Sequence, residues 1–229
     1  MKVLDYNNLD KNEKDKPNKL IWDWLFLDNF LEQFKPDRSL EIGVDKGLTF
    51  SLLHKYSNHS LGIEIYNNPY PKEWNILFQD SKKLTEKDLG VDMFFDFIHI
   101  DGEHSYEYAI NDLTKCQPHI SDKTIICVDD YQLKDVIDAV NTFLKKNKQM
   151  FLKCYGINQI FLVSQKSEEI FDDVIKKFDK NIIKLLKLRP VLNLDVWPTD
   201  NDIKMIDYLS KRNEFQSLQP KLESYLKLQ

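Results

Sequence analysis

The chain is poor in cysteine and has no long apolar run. Its three cysteines, Cys116, Cys127 and Cys154, are widely spaced and odd in number, and no C-x-x-C pair occurs among the 229 residues. That pattern speaks against a zinc–thiolate site and fits a reduced, cytoplasmic protein whose thiols are small buried side chains. No uninterrupted apolar stretch approaches the ~20 residues of a membrane span. Met1 to Leu20 is polar and lysine-rich, without the apolar core of a signal peptide. An excess of positive charge is missing as well. The formal charge of −5 disfavours nucleic acid or an anionic membrane surface as a partner. Neither G-x-G-x-x-G nor a Walker loop is present, which argues against pyrophosphate binding and so against a nicotinamide dehydrogenase. There is no internal repeat.

What remains is ample for a core: 42% hydrophobic and 12% aromatic residues, in a length that suits one domain with elaborations. Apolar residues recur at helical spacing between Pro17 and Phe34, and Pro36 marks the end of that helix. Strands and helices then alternate. The strands are expected at 39–43, 60–65, 74–78, 95–100 and 124–128, the helices at 47–56, 106–116 and 133–146. Residues 151–155 and 159–163 read as a hairpin around Gly156-Ile157-Asn158. Such alternation predicts an α/β fold: a Rossmann-like doubly wound sheet, mostly parallel, closed by a terminal antiparallel hairpin strand. Three regions follow: a polar segment and helix over 1–36, the main domain over 37–165, and a helical C-terminal extension over 166–229. The extension suits a lid, a substrate wall or an oligomer contact, and a homo-oligomer is compatible with it.

The candidate site residues sit at strand ends, where open α/β sheets bind ligands. Glu41-Ile42-Gly43-Val44-Asp45-Lys46-Gly47 is a strand-to-helix turn with a glycine that lets a ligand approach closely. An acid two residues before that glycine suits an ammonium or sulfonium group. Glu64, ending the next strand, can accept both hydroxyls of a ribose. Asp80 and Ser81 follow the third strand and could meet an adenine edge. Asp101, Asp129 and Asp130 are carboxylates at neighbouring strand ends. Three such groups repel, and a hard divalent cation such as Mg²⁺ is their natural compensation. Blander roles compete: the glycine turn as a plain turn, Glu64 as a solvated cap, Asp129-Asp130 as a helix N-terminus, His104 as a helix cap. Glu103 reads as solvent-facing, and His99, flanked by apolar neighbours, as structural.

Glu41-Ile42-Gly43-Val44-x-x-Gly47, Gly62-Ile63-Glu64, Gln79-Asp80-Ser81, Phe95-Asp96-Phe97-Ile98-His99-Ile100-Asp101-Gly102-x-His104-x-Tyr106 and Val128-Asp129-Asp130-Tyr131 together resemble the class I S-adenosylmethionine-dependent methyltransferases. Within them the chain is similar to the metal-dependent, macrocin-type O-methyltransferases that modify sugars on macrolides. The resemblance covers about residues 37–165 and is most specific over 95–106. It implies that Glu41 and Gly43 hold the methionine part of the cofactor, that Glu64 binds the ribose, that Asp80 and Ser81 flank the adenine, and that Val44, Gly47 and Asp101 are also cofactor-binding. It further implies Mg²⁺ on Asp101, Asp129 and Asp130, His104 as general base, and a sugar or related small-molecule hydroxyl as acceptor. Asp45 and Lys46 depart from the small residues usual in that loop. The rival readings are a metal-independent methyltransferase acting on nitrogen or carboxylate, and a catalytically silent cofactor-binding module.

Overall fold

The computed structural model describes residues 21–154, 159–178 and Pro220. The chain forms two compact units, residues 27–177 and residues 1–26 together with 178–229. The expected turn at 156–158 and the helical stretches beyond residue 178 lie outside the described residues, as do Pro17 to Leu20. In the second unit the Phe26 and Phe178 rings pack at 5.2 Å. Helix α1, Ile21–Phe34, crosses into the unit of residues 27–177 at Leu27.

That unit is built on a seven-stranded sheet of order β3-β2-β1-β4-β5-β7-β6. Its strands are β1 Arg38–Ile42, β2 His59–Glu64, β3 Ile76–Phe78, β4 Phe95–Ile100, β5 Ile120–Val128, β6 Met150–Cys154 and β7 Ile160–Ser164. Strands β1 to β5 run parallel, and β7 is antiparallel to both β5 and β6. The helices are α2 Leu48–Tyr56, α3 Glu86–Leu89, α4 Tyr106–Cys116, α5 Lys134–Lys146 and α6 Gln165–Lys176. This is the expected Rossmann-like, mostly parallel sheet. Among the described residues, no helix is long and apolar enough to cross a membrane.

Alternation along the strands sorts side chains between two faces. Leu40 and Ile42 of β1, Ile98 and Ile100 of β4 and Ile126 and Val128 of β5 join a core with Leu113 of α4 and Val136, Val140 and Phe143 of α5. The residues between them face the other way. There Phe97 of β4 and Phe161 of β7 meet Phe30 of α1 and Phe171 of α6, with ring centroids 4.9–5.9 Å from Phe30. Packing on both faces explains why four of the six β4 residues, Phe95, Phe97, Ile98 and Ile100, are apolar. Helix α6 starts with a capping box, in which Ser164 N donates to Ser167 Oγ and Ser167 N to Ser164 Oγ.

Two strands differ from expectation by more than one residue, for local reasons. Strand β5 begins four residues early, at Ile120, because its polar lead-in is tied to β4: Thr124 Oγ1 donates to the Phe95 carbonyl at 2.6 Å and accepts from Ser121 N at 2.8 Å. Strand β3 starts late, at Ile76, because Trp74 leaves the sheet to pack on Phe50 of α2, its ring 5.1 Å away.

Candidate functional site

The strand order turns back between β1 and β4, and the carboxyl ends at that switch point make the crevice in which such sheets bind ligands. Three ladder bonds continue past the strand ends there: Gly43 N to Ile63 O, Asp101 N to Ile42 O and Asp129 N to Ile100 O, at 2.8–2.9 Å. They hold the turns after β1, β4 and β5 side by side.

The glycine loop is the tightest of these turns. Gly43 has φ +87°, and a Cβ built there would lie 2.1 Å from the Asp101 carbonyl oxygen. Gly47, at φ +80°, starts α2 under the Trp74 ring, which a Cβ would meet at 2.3 Å. Only glycine fits either position. Between them Asp45 takes φ 44°, and its carbonyl accepts from Asn68 Nδ2 and the Tyr70 hydroxyl. Burial pushes the Tyr70 phenol up to about 12.

Glu64 is buried and faces this loop. Its Oε2 accepts from Val44 N at 2.9 Å and Asp45 N at 2.7 Å, and its Oε1 from Tyr66 N at 2.9 Å. A carboxylate has about four lone-pair sites, so Glu64 spends most of its capacity on shaping the loop. Asp80 caps the short 3-10 turn Ser81–Lys83, accepting from Lys82 N at 3.0 Å, and Ser81 is buried behind it.

On the other side of the crevice, Asp101, His104 and Asp130 offer ligand atoms that all lie within 4.8 Å of one another. His104 Nε2 is 3.2 Å from Asp130 Oδ2 and 3.6 Å from Asp101 Oδ1. The Asp101 carboxylate, helped by Asp130 and Asp129 and opposed by partial burial, raises the His104 pKa above its ordinary value. Asp130 is aimed by an uncommon backbone: φ is 51°, Gln132 Nε2 donates to its Oδ1, and Leu133 N to its carbonyl. Non-glycine residues held in that region concentrate at functional sites. Asp129 points elsewhere. Its Oδ1 accepts from Asp130 N at 2.9 Å, and its Oδ2 lies 3.3 Å from Gln159 Nε2 and 4.0 Å from His99 Nε2.

A second group of donors, Glu41, His99 and Asp101, lies within the same span. His99 Nδ1 is 2.9 Å from Glu41 Oε1, and both side chains are buried. Strand register explains the meeting. Glu41 and His99 are direct partners across β1 and β4, on the face opposite the α4/α5 core. Sequence reading assigned Glu41 to the cofactor and left His99 as structural, because the pairing needs the register.

Asp112 on α4 also escaped sequence reading. It is buried, and its Oδ2 would stand 2.9 Å from a Cβ on Gly102. Burial pushes its carboxyl up to about 6, against hydrogen bonds from Ser81 and Asn111. An acid on an amphipathic helix gives no sign in sequence that it is covered.

Residues 40–131 match the family described as a methyltransferase domain. No curated protein matches the chain in sequence. Among solved structures, the chain is similar to a candidate caffeoyl-CoA O-methyltransferase of Staphylococcus aureus (TM-score 0.52, 13% identity, 66% of this chain and 87% of that one). It is also similar to the MycE methyltransferase of the mycinamycin biosynthetic pathway, solved with Mg, S-adenosylhomocysteine and mycinamycin VI (TM-score 0.51, 14% identity, 63% of this chain and 49% of that one). A third is the O-methyltransferase NovP (TM-score 0.50, 16% identity, 63% of this chain and 80% of that one). At these identities the likeness is one of fold.

Proposed function

We propose that the chain is an S-adenosylmethionine-dependent O-methyltransferase that acts on a hydroxyl of a sugar or related small molecule. In this reading Glu41, Gly43, Val44, Gly47, Glu64, Asp80, Ser81 and Asp101 bind the cofactor. Asp101, Asp129 and Asp130 hold Mg²⁺ or another hard divalent cation, and His104 is the general base. The observation that carries the proposal is the backbone contact of the Gly43 loop with the Asp101 turn, which puts the loop and the Asp101/His104/Asp130 cluster in one crevice. The match of residues 40–131 to a methyltransferase domain supports the cofactor.

The donors fit a hard cation. The Asp101 and Asp130 carboxylates at adjoining strand ends lie close together beside the His104 imidazole, with no thiolate among them, and Asp129 would join them by turning from Gln159. When bound, the cation lowers the pKa of the acceptor hydroxyl, and S-adenosylmethionine supplies an electrophilic methyl group. The chain's own part is positional and protolytic. Gly43 and Gly47 shape a loop on which the cofactor can lie close to the backbone. His104, 38% exposed, can reach both the acids and an acceptor in the crevice, and takes the hydroxyl proton at its imidazole nitrogen. Holding acceptor and methyl donor in line supplies much of the remaining acceleration.

The test is a methyl-transfer assay over a panel of glycosides and phenols. Turnover should vanish with EDTA and return with Mg²⁺. His104→Ala should lose turnover while still binding S-adenosylhomocysteine. Full activity in EDTA removes the metal, and full activity in the variant removes the base.

A further inference from the structure

We infer that His99 is a positioning residue that couples cofactor binding to metal binding. The inference rests on the function proposed above. His99 stands in the middle of β4 with no exposed surface, between one acid assigned to each ligand. Its Nδ1 is 2.9 Å from Oε1 of Glu41, two residues before Gly43. Its Nε2 is 4.0 Å from Oδ2 of Asp129, and Gln159 Nε2 approaches the same oxygen at 3.3 Å. Glu41 and His99 are adjacent by strand register, so a change in one side chain is felt directly by the other.

An apolar side chain would satisfy the strand pattern at position 99. A buried imidazole costs desolvation unless its ring nitrogens meet partners; here Nδ1 is at hydrogen-bond distance from Glu41, and Nε2 stands at ion-pair range, 4.0 Å, from Asp129. The result is a row of polar groups, Glu41, His99 and Asp129, that runs from the strand before the glycine loop to the strand end that carries Asp130. A ligand that settles Glu41 fixes the ring, and the ring limits where Asp129 can turn. Coupling of this kind is reciprocal: each ligand must tighten the other by the same factor.

The experiment is calorimetric titration of Mg²⁺ into the full chain, with and without saturating S-adenosylhomocysteine. In the wild type, S-adenosylhomocysteine should tighten Mg²⁺ binding about five-fold or more. His99→Asn keeps a donor where Nδ1 stood but cannot reach Asp129. It should bind S-adenosylhomocysteine normally and Mg²⁺ about ten-fold more weakly, with the coupling factor near one. His99→Gln reaches toward Asp129 and gives up the Glu41 bond. It should show the converse, weaker S-adenosylhomocysteine and near-normal Mg²⁺, again without coupling. Either variant can carry the test if the other fails to fold. Coupling that survives in a folded variant overturns the inference, and so does equal damage to both affinities in both variants, which would mark His99 as a packing residue. A wild type that binds both ligands independently overturns it while sparing the proposed function. A wild type that binds no S-adenosylhomocysteine removes both.

Discussion

Gly43 and Asp101 meet backbone to backbone: the Asp101 carbonyl oxygen occupies the place, 2.1 Å away, that any side chain on residue 43 would need. The contact joins the cofactor loop to the acid cluster. Gly43→Ala would have to push the two turns apart and also hold alanine at φ +87°. We expect a loss of about 3 kcal/mol or more in unfolding free energy, read by urea denaturation. S-adenosylhomocysteine binding should be lost with it. A variant as stable as the wild type would show that the turns can separate freely.

Asp130 offers a cleaner probe of the metal, because asparagine tolerates its left-handed backbone. Asp130→Asn should fold normally by thermal unfolding and circular dichroism. It should bind Mg²⁺ at least about ten-fold more weakly, because one of the charged oxygens is gone. Unchanged Mg²⁺ affinity would remove Asp130 from the ligand set.

His104 should titrate above the usual histidine range in the metal-free protein, since Asp101 raises its pKa first and Asp130 and Asp129 add to that. The sign follows from linkage: a raised folded pKa gives stability that is full below the ordinary value and fades as pH climbs through the raised one. Mg²⁺ replaces the imidazolium as the acids' compensating charge, so adding it should lower the His104 pKa and release protons. Mg²⁺ should therefore bind more tightly as pH rises through the metal-free value. Histidine NMR titrations with and without Mg²⁺ read this directly, and a pKa that Mg²⁺ leaves unchanged would contradict the shared site.

Asp112 should act in the opposite sense to an ordinary carboxylate. Its folded pKa is pushed up to about 6 by burial, while in the unfolded chain it ionises near 3.9. Between those values the folded state holds the extra proton, so stability falls as pH rises from about 4 to about 6. The full penalty, on the order of 2–3 kcal/mol, persists at neutral pH. Asp112→Asn should flatten that segment of the stability profile, measured by denaturant midpoints across pH. An unaltered profile would mean that Asp112 is ionised in the fold.

The parts of this molecule that obey short-range rules were legible in sequence. Strand β4 and helix α4 fall at 95–100 and 106–116 as expected, because an apolar run ends in Asp101-Gly102 and a new periodicity starts at Tyr106. The crevice was legible too, since Gly43, Asp101 and Asp130 lie at strand ends. Tertiary pairing was harder to see. His99 looked like core because its partner Glu41 is reached only across the β1/β4 register. Glu64 read as the acid ending a strand, and the three amides it accepts from, in the loop and the next turn, come to it only through the fold. Trp74 read as strand, and it serves instead as the lid on Gly47.

The aromatic layer carries a consequence for biosynthesis. Phe30 near one end of the unit packs on Phe161 and Phe171 near the other. While the ribosome is still making β7 and α6, α1 is the part of this layer already available to cover that face of the parallel strands. Phe97 can meet Phe30 and Phe34 of α1 early, but Phe30 lacks its Phe161 and Phe171 partners until the last strand and helix arrive. Nascent chains stalled before residue 160 should consequently be held by chaperones, and release should follow completion of α6 and the closing of the phenylalanine layer.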